Sequence, residues 1–199
     1  KRQVIRGAKA ETMVLLGIGL VFFFQAMLAL IQYRSSAEAL QQIVYWSMGS
    51  LTRANWAANG VLAAVLIIAL PILWVLGWRL TALRLGDARA TAMGINTSRL
   101  RVVVLIVVSL VAATTVAFAG IIGFIGLVGP HIARMLVGED QRYFLPASMA
   151  AGAAVMCAAH AVSLMIKPGL AIPIGIVTSL LGVPFFIAIV MTRRRALWT

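Results

Sequence analysis

The sequence is poor in the residues that carry chemistry in soluble enzymes. It contains one cysteine, two histidines and five acidic residues among 199 positions. The single thiol, Cys157, excludes an internal disulfide framework, and we expect it to pack inside a membrane span. None of these residues has the spacing of a metal, nucleophile or phosphate site. We therefore predict that the chain is not an enzyme and that it binds no metal or cofactor.

Polar surface is also scarce. Charged residues make up 11% of the chain and hydrophobic residues 62%, which excludes a water-soluble fold of this size. An apolar helix of about 17 to 25 residues crosses a hydrocarbon layer about 30 Å thick. We predict an all-α polytopic membrane protein that forms a single transmembrane domain over 1–199. Its six transmembrane helices are predicted at 13–33, 57–78, 102–118, 119–136, 145–166 and 170–192.

The apolar stretch between Arg101 and Arg134 decides the topology. At about 32 residues it is too long for one straight crossing and short for two. Lysine and arginine in short loops stay on the cytoplasmic side. Two crossings place fourteen of the 17 basic residues on one side and three on the other, whereas one crossing divides them ten to seven. We predict two crossings, with both termini cytoplasmic.

The net charge of +12 has the same explanation, because the basic residues flank apolar spans. They form no separate patch interleaved with aromatic residues, so no nucleic-acid partner is predicted. The partner predicted around the apolar spans is membrane lipid.

Residues 36–51 repeat apolar side chains at helical spacing, which predicts an amphipathic helix at the outer interface. The nearby Tyr45, Trp46 and Trp56 are typical of an interfacial aromatic belt. A docking surface for an outer partner is the alternative.

Residues 79–101 are the longest polar interruption and are predicted to be cytoplasmic. Within them Asp87, a run with several alanines and Gly94 suit a short helix that ends in a left-handed residue. Such a helix is either a connector that covers helix ends or an element that inserts into a groove on a soluble partner.

Glycine recurs at every third position before a proline, and this spacing predicts a helix that packs closely or bends. The residues are Gly120, Gly123, Gly126, Gly129 and Pro130. A second polar cluster follows on the predicted cytoplasmic face, and with the Asp87 segment it is predicted to form one docking platform. Its members are His131, Arg134, Glu139, Asp140 and Arg142. His160 lies deep in a span, where a structural role is favoured over a substrate ligand.

The run Gly-Ile-Ile-Gly-Phe-Ile-Gly-Leu-Val-Gly-Pro-His-Ile-Ala-Arg over 120–134 resembles the signature of the iron-siderophore and vitamin B12 permease family of ABC importers. The resemblance continues through Asp140-Gln141-Arg142, Leu145-Pro146, 172–178 and 181–186. Residues 45–50 and 85–94 also resemble that family, so the similarity covers nearly the whole chain.

The resemblance implies a type II ABC importer with two permease subunits of ten helices each, a homodimer or a heterodimer. Two cytoplasmic ATPase subunits bind ATP and Mg, and a periplasmic or lipoprotein substrate-binding protein delivers the cargo. This chain matches the last six helices, the C-terminal part of such a permease. The segment 85–94 corresponds to the region that couples to the ATPase, which assigns that role to Leu85, Gly86, Asp87, Arg89, Met93 and Gly94. Arg53 and Lys167 are expected to meet carboxylates on the binding protein.

At His160 many relatives have an aspartate, so no shared role is expected there. The function that follows is transport of an iron chelate, of the siderophore or haem class, across the bacterial inner membrane by ATP-driven alternating access. The alternatives are a vitamin B12 or oxyanion importer of the same family and an ion-coupled secondary transporter. Rows of charged residues along a span, typical of secondary transporters, are missing from the sequence. A purely structural scaffold would not need an ordered platform.

Overall fold

The computed structural model describes residues 2–166 and 172–195. Within those ranges every regular element is a helix, which confirms the all-α prediction. The eight helices are α1 (Arg2–Arg34), α2 (Ala37–Ser47), α3 (Trp56–Leu83), α4 (Asp87–Ala92), α5 (Thr97–Ala119), α6 (Ile125–Val137), α7 (Gln141–Ile166) and α8 (Ile174–Arg195). The chain divides into two compact units, Lys1–Tyr45 and Trp46–Thr199.

The first unit is dominated by α1, whose stretch Val14–Arg34 is long and apolar enough to cross a membrane. None of its most apolar window is buried inside the protein. An apolar helix that is exposed all round needs lipid or another protein around it. The amphipathic α2 begins after Ser36, whose hydroxyl accepts from the Ala39 backbone N–H. The backbone N–H of Glu38, and then the Ser36 side chain, lower the pKa of the Glu38 carboxyl.

In the second unit three helices are long and apolar enough to span: α3 with 28 residues, α5 with 23 and α7 with 26. The described structure therefore holds four such helices in all, against the six predicted crossings. The apolar helix α6 has only 13 residues, about 20 Å at 1.5 Å per residue. The described apolar part of α8 also falls short, at Ile174–Ile187.

The prediction of one continuous helix over 119–136 is wrong at its start. Helix α5 ends at Ala119, before Gly120 with φ +77°, and α6 begins only after Phe124, which has φ +67°. Positive φ is incompatible with a right-handed helix, so the two residues bracket a non-helical segment, 120–124. Phe124 is the one non-glycine residue with positive φ among those described. A Cβ built on Gly182 of α8 would overlap its ring, so the packed aromatic side chain helps to hold this conformation.

The four spaced glycines consequently do not form one stripe. Only Gly126 and Gly129 lie on α6, and a Cβ on Gly126 would meet open space. Gly129 makes a close contact, because its missing Cβ lets α6 approach the backbone of Gly152 in α7. Pro130 follows within α6 and removes the backbone hydrogen bond to the Gly126 carbonyl.

Three glycines from separate segments meet where α2 ends, α5 ends and α8 begins. Gly49 and Gly120 both have positive φ, and a Cβ on Gly120 would overlap the Trp46 carbonyl oxygen. Gly175 donates its N–H to the Met48 carbonyl at 3.1 Å, and a Cβ on Gly175 would overlap the same oxygen. We call this set of Gly49, Gly120 and Gly175 the glycine junction. It lets three backbones pack with almost no side chain between them.

The expectation that Cys157 packs in the core is not met, because this thiol is exposed on α7. The neighbouring Ala159 and Ser163 are the buried residues of that helix. Helix periodicity places Cys157 on a different face from Ala159, and an apolar sequence does not reveal which face meets protein and which meets lipid.

Candidate functional site

The short helix α4 is held to the ends of α3 and α5 by a small apolar cluster. Ala90 is fully buried, and it packs with Ile95, Ala82 of α3 and Leu100 of α5. Ala90 is the one buried side chain of α4, and Asp87 is half-buried. The exposed residues of the helix are Ala88, Arg89, Thr91 and Ala92. The cluster fixes the position of α4 without using its polar face.

The end of α4 is stopped by the left-handed glycine that the sequence predicts. Gly94 has φ +79°, and its N–H donates to the Thr91 carbonyl at 2.9 Å. The N–H of Ile95 donates to the Ala90 carbonyl at 3.1 Å. This pair of bonds is a Schellman motif, and the buried contact of Ile95 with Ala90 is the apolar contact that accompanies it. The chain is thereby turned directly into α5.

Asp87, in the first turn of α4, is paired with Arg101 of α5. Arg101 donates from Nη2 to Oδ1 at 2.6 Å and from Nη1 to Oδ2 at 3.1 Å, a two-point contact of fixed geometry. The side chains remain 53% exposed for Arg101 and 29% for Asp87, so solvent screens the pair. Asp87 was predicted as a contact for a partner, but here its carboxylate is engaged within the chain and orients α4.

The second polar cluster is joined to the same region through Glu139. Arg84, just after α3, donates from Nη1 to the Glu139 carbonyl at 3.1 Å and also pairs with its carboxylate. Arg134 of α6 lies 3.4 Å from the same carboxylate. Arg84 therefore binds the turn between α6 and α7 to the end of α3, while Arg134 binds the same carboxylate from α6.

A further tie runs through Thr81 in the last turn of α3. Its hydroxyl accepts from the Gln141 backbone N–H at 3.1 Å and lies 3.5 Å from the Asp140 carboxylate. Asp140 in turn accepts from the Arg142 N–H at 3.0 Å and so caps the start of α7. The predicted proximity of the two polar segments is thus present in the structure. We call residues 84–96 together with 138–142 the polar platform.

The outward face of the polar platform mixes apolar and basic side chains. Leu85 is 56% exposed and Met93 is 55% exposed, with the exposed Arg89 on α4 between them in the sequence. Gly86, with φ +100°, precedes the helix and leaves this face unobstructed. Large exposed apolar residues beside a cation form the kind of surface that a protein partner covers.

Other predicted site residues lie elsewhere. His131 faces α8, with its ring edge-on to Phe185 at 5.6 Å between centroids, so it is separated from the platform contacts. Arg53 is exposed at the opposite end of α3, and Lys167 lies outside the described residues. His160 is half-buried on α7, and its structural role stays a prediction.

An apolar cavity of about 760 Å³ lies beside the glycine junction. Its walls include Met48, Ile121, Ile176 and Leu180, with the Ser179 hydroxyl among them. No charged side chain lines it in the part of the chain that the structure describes. A cavity of this size can take a bulky, weakly polar group. The described residues bring no three His, Cys, Asp or Glu side chains together as metal ligands.

The sequence reasoning missed Arg101, which it counted only as a topology charge. The pair with Asp87 spans 14 positions and a sharp turn, so no helical spacing connects the two residues. It also missed Gly152 and Gly175, because isolated glycines in apolar runs do not reveal which backbone they approach.

The fold and the platform define a polytopic α-helical membrane protein with a structured polar face at one end. Residues 3–192 match the FecCD transport family, and the chain belongs to that family. It is 35% identical over 183 residues to the hemin transport system permease protein HmuU of Yersinia pestis, covering 92% of this chain and 54% of that protein. It is 36% identical over 184 residues to the molybdate import system permease protein MolB of Haemophilus influenzae, covering 92% and 54%.

A solved structure described as an inward-facing conformation of a metal-chelate type ABC transporter is 36% identical, with a TM-score of 0.83. That match covers 89% of this chain and 59% of the other. The chain spans about half the length of the curated relatives it matches.

Proposed function

We propose that this chain is the C-terminal part of the membrane-spanning permease of an ABC importer in the bacterial inner membrane. Family membership supports the class of protein. The observation that carries the proposal is the polar platform, in which α4 is fixed by buried contacts while Leu85, Arg89 and Met93 remain outward. The buried side of α4 is fixed to α3 and α5, and its exposed side is apolar and basic. Such a surface is suited to receive force from a soluble partner.

The partner proposed for this surface is the ATPase subunit, which binds ATP and Mg. Closure of two such subunits around ATP would displace α4, and the Asp87–Arg101 pair would pass the movement to α5. The Arg84–Glu139 contact would pass it to α6 and α7. Two permease copies would then open alternately to the two sides of the membrane. The free energy comes from the ATPase, and this chain converts it into helix movement.

The proposed topology has six crossings with both termini cytoplasmic. Helix α6 is roughly 20 Å long, and an extended segment 120–124 would add about 16 Å. Together they exceed the thickness of a hydrocarbon layer, about 30 Å. Non-helical backbone at membrane depth is tolerated where protein covers it. Within this segment Ile121 packs on Gly49 and Gly175 and Phe124 packs on Gly182 of α8. This packing supports a crossing built from a loop and a short helix.

The proposed cargo is an iron chelate of the siderophore or haem class, delivered from outside by a substrate-binding protein. The apolar, uncharged cavity beside the glycine junction supports a bulky cargo that is held weakly and released. The named relatives include a hemin permease and a molybdate permease, so an oxyanion or vitamin B12 remains the alternative cargo within the family.

The test is uptake by proteoliposomes that contain the full permease, its ATPase and its binding protein. Arg89→Glu places a negative charge on the exposed face of α4, and we expect at least a tenfold loss of ATP-driven uptake of ferric chelate with the complex still assembled. Arg34→Glu, an equal charge change at an exposed site outside the platform, is the control and should retain uptake. Uptake that persists without the ATPase would instead identify a secondary transporter.

A further inference from the structure

A second cleft lies beside the polar platform, where α3 ends and α5 begins. Its volume is about 430 Å³. Arg79 and Trp78 of α3 form one wall, and Asn96 and Arg99 at the start of α5 form the other. The volume is within the range of small-molecule sites, about 300–1,000 Å³. The cleft is separate from the apolar cavity at the glycine junction.

The cleft carries positive charge that the protein does not neutralise. In the described part of the chain, Asp87 pairs with Arg101, and Glu139 is shared by Arg84 and Arg134. Those contacts leave Arg79 and Arg99 without an acidic partner among the described residues. No acidic residue lines the cleft there either. The N-terminus of α5, capped by Asn96, adds a partial positive charge on the same side. A bound anion would be complementary to this site.

The position of the cleft indicates what carries that anion. Trp78 is 41% exposed near the end of the 28-residue apolar helix α3, where tryptophan marks the membrane interface. The Arg79 guanidinium lies 5.4 Å from its ring centroid, so the cation is held at that level. Leu76 of α3 and Val103 of α5 continue the cleft wall toward the hydrocarbon. Charge at the interface with an apolar wall beneath it matches an amphiphilic ligand.

We propose that this cleft binds an anionic phospholipid. The phosphate lies between Arg79 and Arg99, and the acyl chains lie along α3 and α5 beside Leu76 and Val103. A neutral or zwitterionic lipid lacks the net negative charge that the two unpaired arginines select. The lipid would also contact Gly94 and Asn96 at the α4–α5 turn, and so support the edge of the polar platform from the membrane side. The site is independent of which cargo is transported.

The test is lipid retention by the full permease with its ATPase, reconstituted in nanodiscs of phosphatidylglycerol mixed with phosphatidylcholine and measured by native mass spectrometry after detergent extraction. Arg79→Gln and Arg99→Gln are each expected to lower the retained phosphatidylglycerol about fivefold, because each removes one arginine from an anionic interface. Arg34→Gln, an equal loss of charge outside the cleft, is expected to leave retention unchanged.

Three results would overturn the proposal. Retention equal to wild type in both cleft variants would show that the lipid binds elsewhere. Displacement of the lipid by millimolar inorganic phosphate would show a site for a soluble anion. Loss of the ATPase subunit from both variants, with lipid retention intact, would show that a protein surface occupies the cleft. Because lipid retention requires no transport, failure of the transport proposal would leave this measurement interpretable.

Discussion

Gly129 and Gly152 bring α6 and α7 to backbone contact. A Cβ added to Gly129 would lie 3.1 Å from the Gly152 Cα and 3.3 Å from the Ser148 carbonyl oxygen. In lipid no hydrophobic force draws two apolar helices together, so their contact depends on close packing. The missing side chain of Gly129 allows that packing, whereas a Cβ on Gly152 would meet only the Ile125 side chain at 3.9 Å, an ordinary contact.

Replacement of Gly129 by valine should separate α6 from α7. We expect a loss of about 1–3 kcal/mol of stability, typical of overpacking, seen as a lower thermal unfolding midpoint in detergent. Gly126→Ala is the control on the same helix, since its Cβ would meet open space. It should be neutral or slightly stabilising because alanine favours the helix. Equal destabilisation by both variants would contradict the assigned crossing point.

Because of the glycine junction, alanine substitution should cost different amounts of stability at two glycines with nearly equal φ. Gly120 has φ +77° and Gly138 has φ +75°. Alanine at Gly138 meets only the backbone strain of its positive φ, about 1–3 kcal/mol, because the space around it is open. Alanine at Gly120 also overlaps the Trp46 carbonyl, so we expect a markedly larger loss of thermal stability. Similar unfolding midpoints for the two variants would mean that the junction is not closely packed.

The Asp87–Arg101 pair should contribute modestly to stability and strongly to coupling. A double-mutant cycle with Asp87→Ala and Arg101→Ala is expected to give an interaction energy of about 0.5–1 kcal/mol, because both side chains are partly exposed. Each single variant should keep the fold but weaken the link between ATP hydrolysis and uptake. The ratio of substrate transported to ATP hydrolysed measures the strength of that link. An unchanged ratio in both variants would show that the pair does not position α4 for coupling.

The Thr81 hydroxyl should contribute to stability where α3 meets α7. Thr81→Val keeps the shape but leaves the part-buried Gln141 N–H without its acceptor, which should cost about 1–3 kcal/mol in thermal unfolding. Thr115→Val on α5 is the matched control, because that hydroxyl is exposed and bonds only to its own helix at Val111. The control should change stability by less than about 0.5 kcal/mol.

These contacts make the polar platform a single body. The buried Ala90 and Ile95 hold α4 from beneath, while Glu139 ties the α6–α7 turn to the end of α3. Under the proposed coupling, a force on Arg89 or Met93 would be transmitted to helices α3, α5, α6 and α7 through these contacts. Exposed ion pairs alone are weak, and it is their combination with the buried cluster that gives the platform its rigidity.

The sequence by itself determined the helical class, the membrane environment and the position of most helices. Apolar runs of sufficient length have few other stable states in lipid, since each backbone polar group needs a partner within the segment. It also determined the short helix before Gly94 and its left-handed end, because these depend on neighbouring residues. The family followed from motifs spread along nearly the whole chain.

Tertiary structure decided where helices break and which side chains meet. The sequence places Gly120 and Phe124 in an apolar run, but only packing against Trp46 and Gly182 selects the non-helical path between α5 and α6. The pairing of Asp87 with Arg101 likewise requires the turn between α4 and α5 to be in place. Local spacing encodes local hydrogen bonds, whereas contacts between distant segments arise only when the chain has packed.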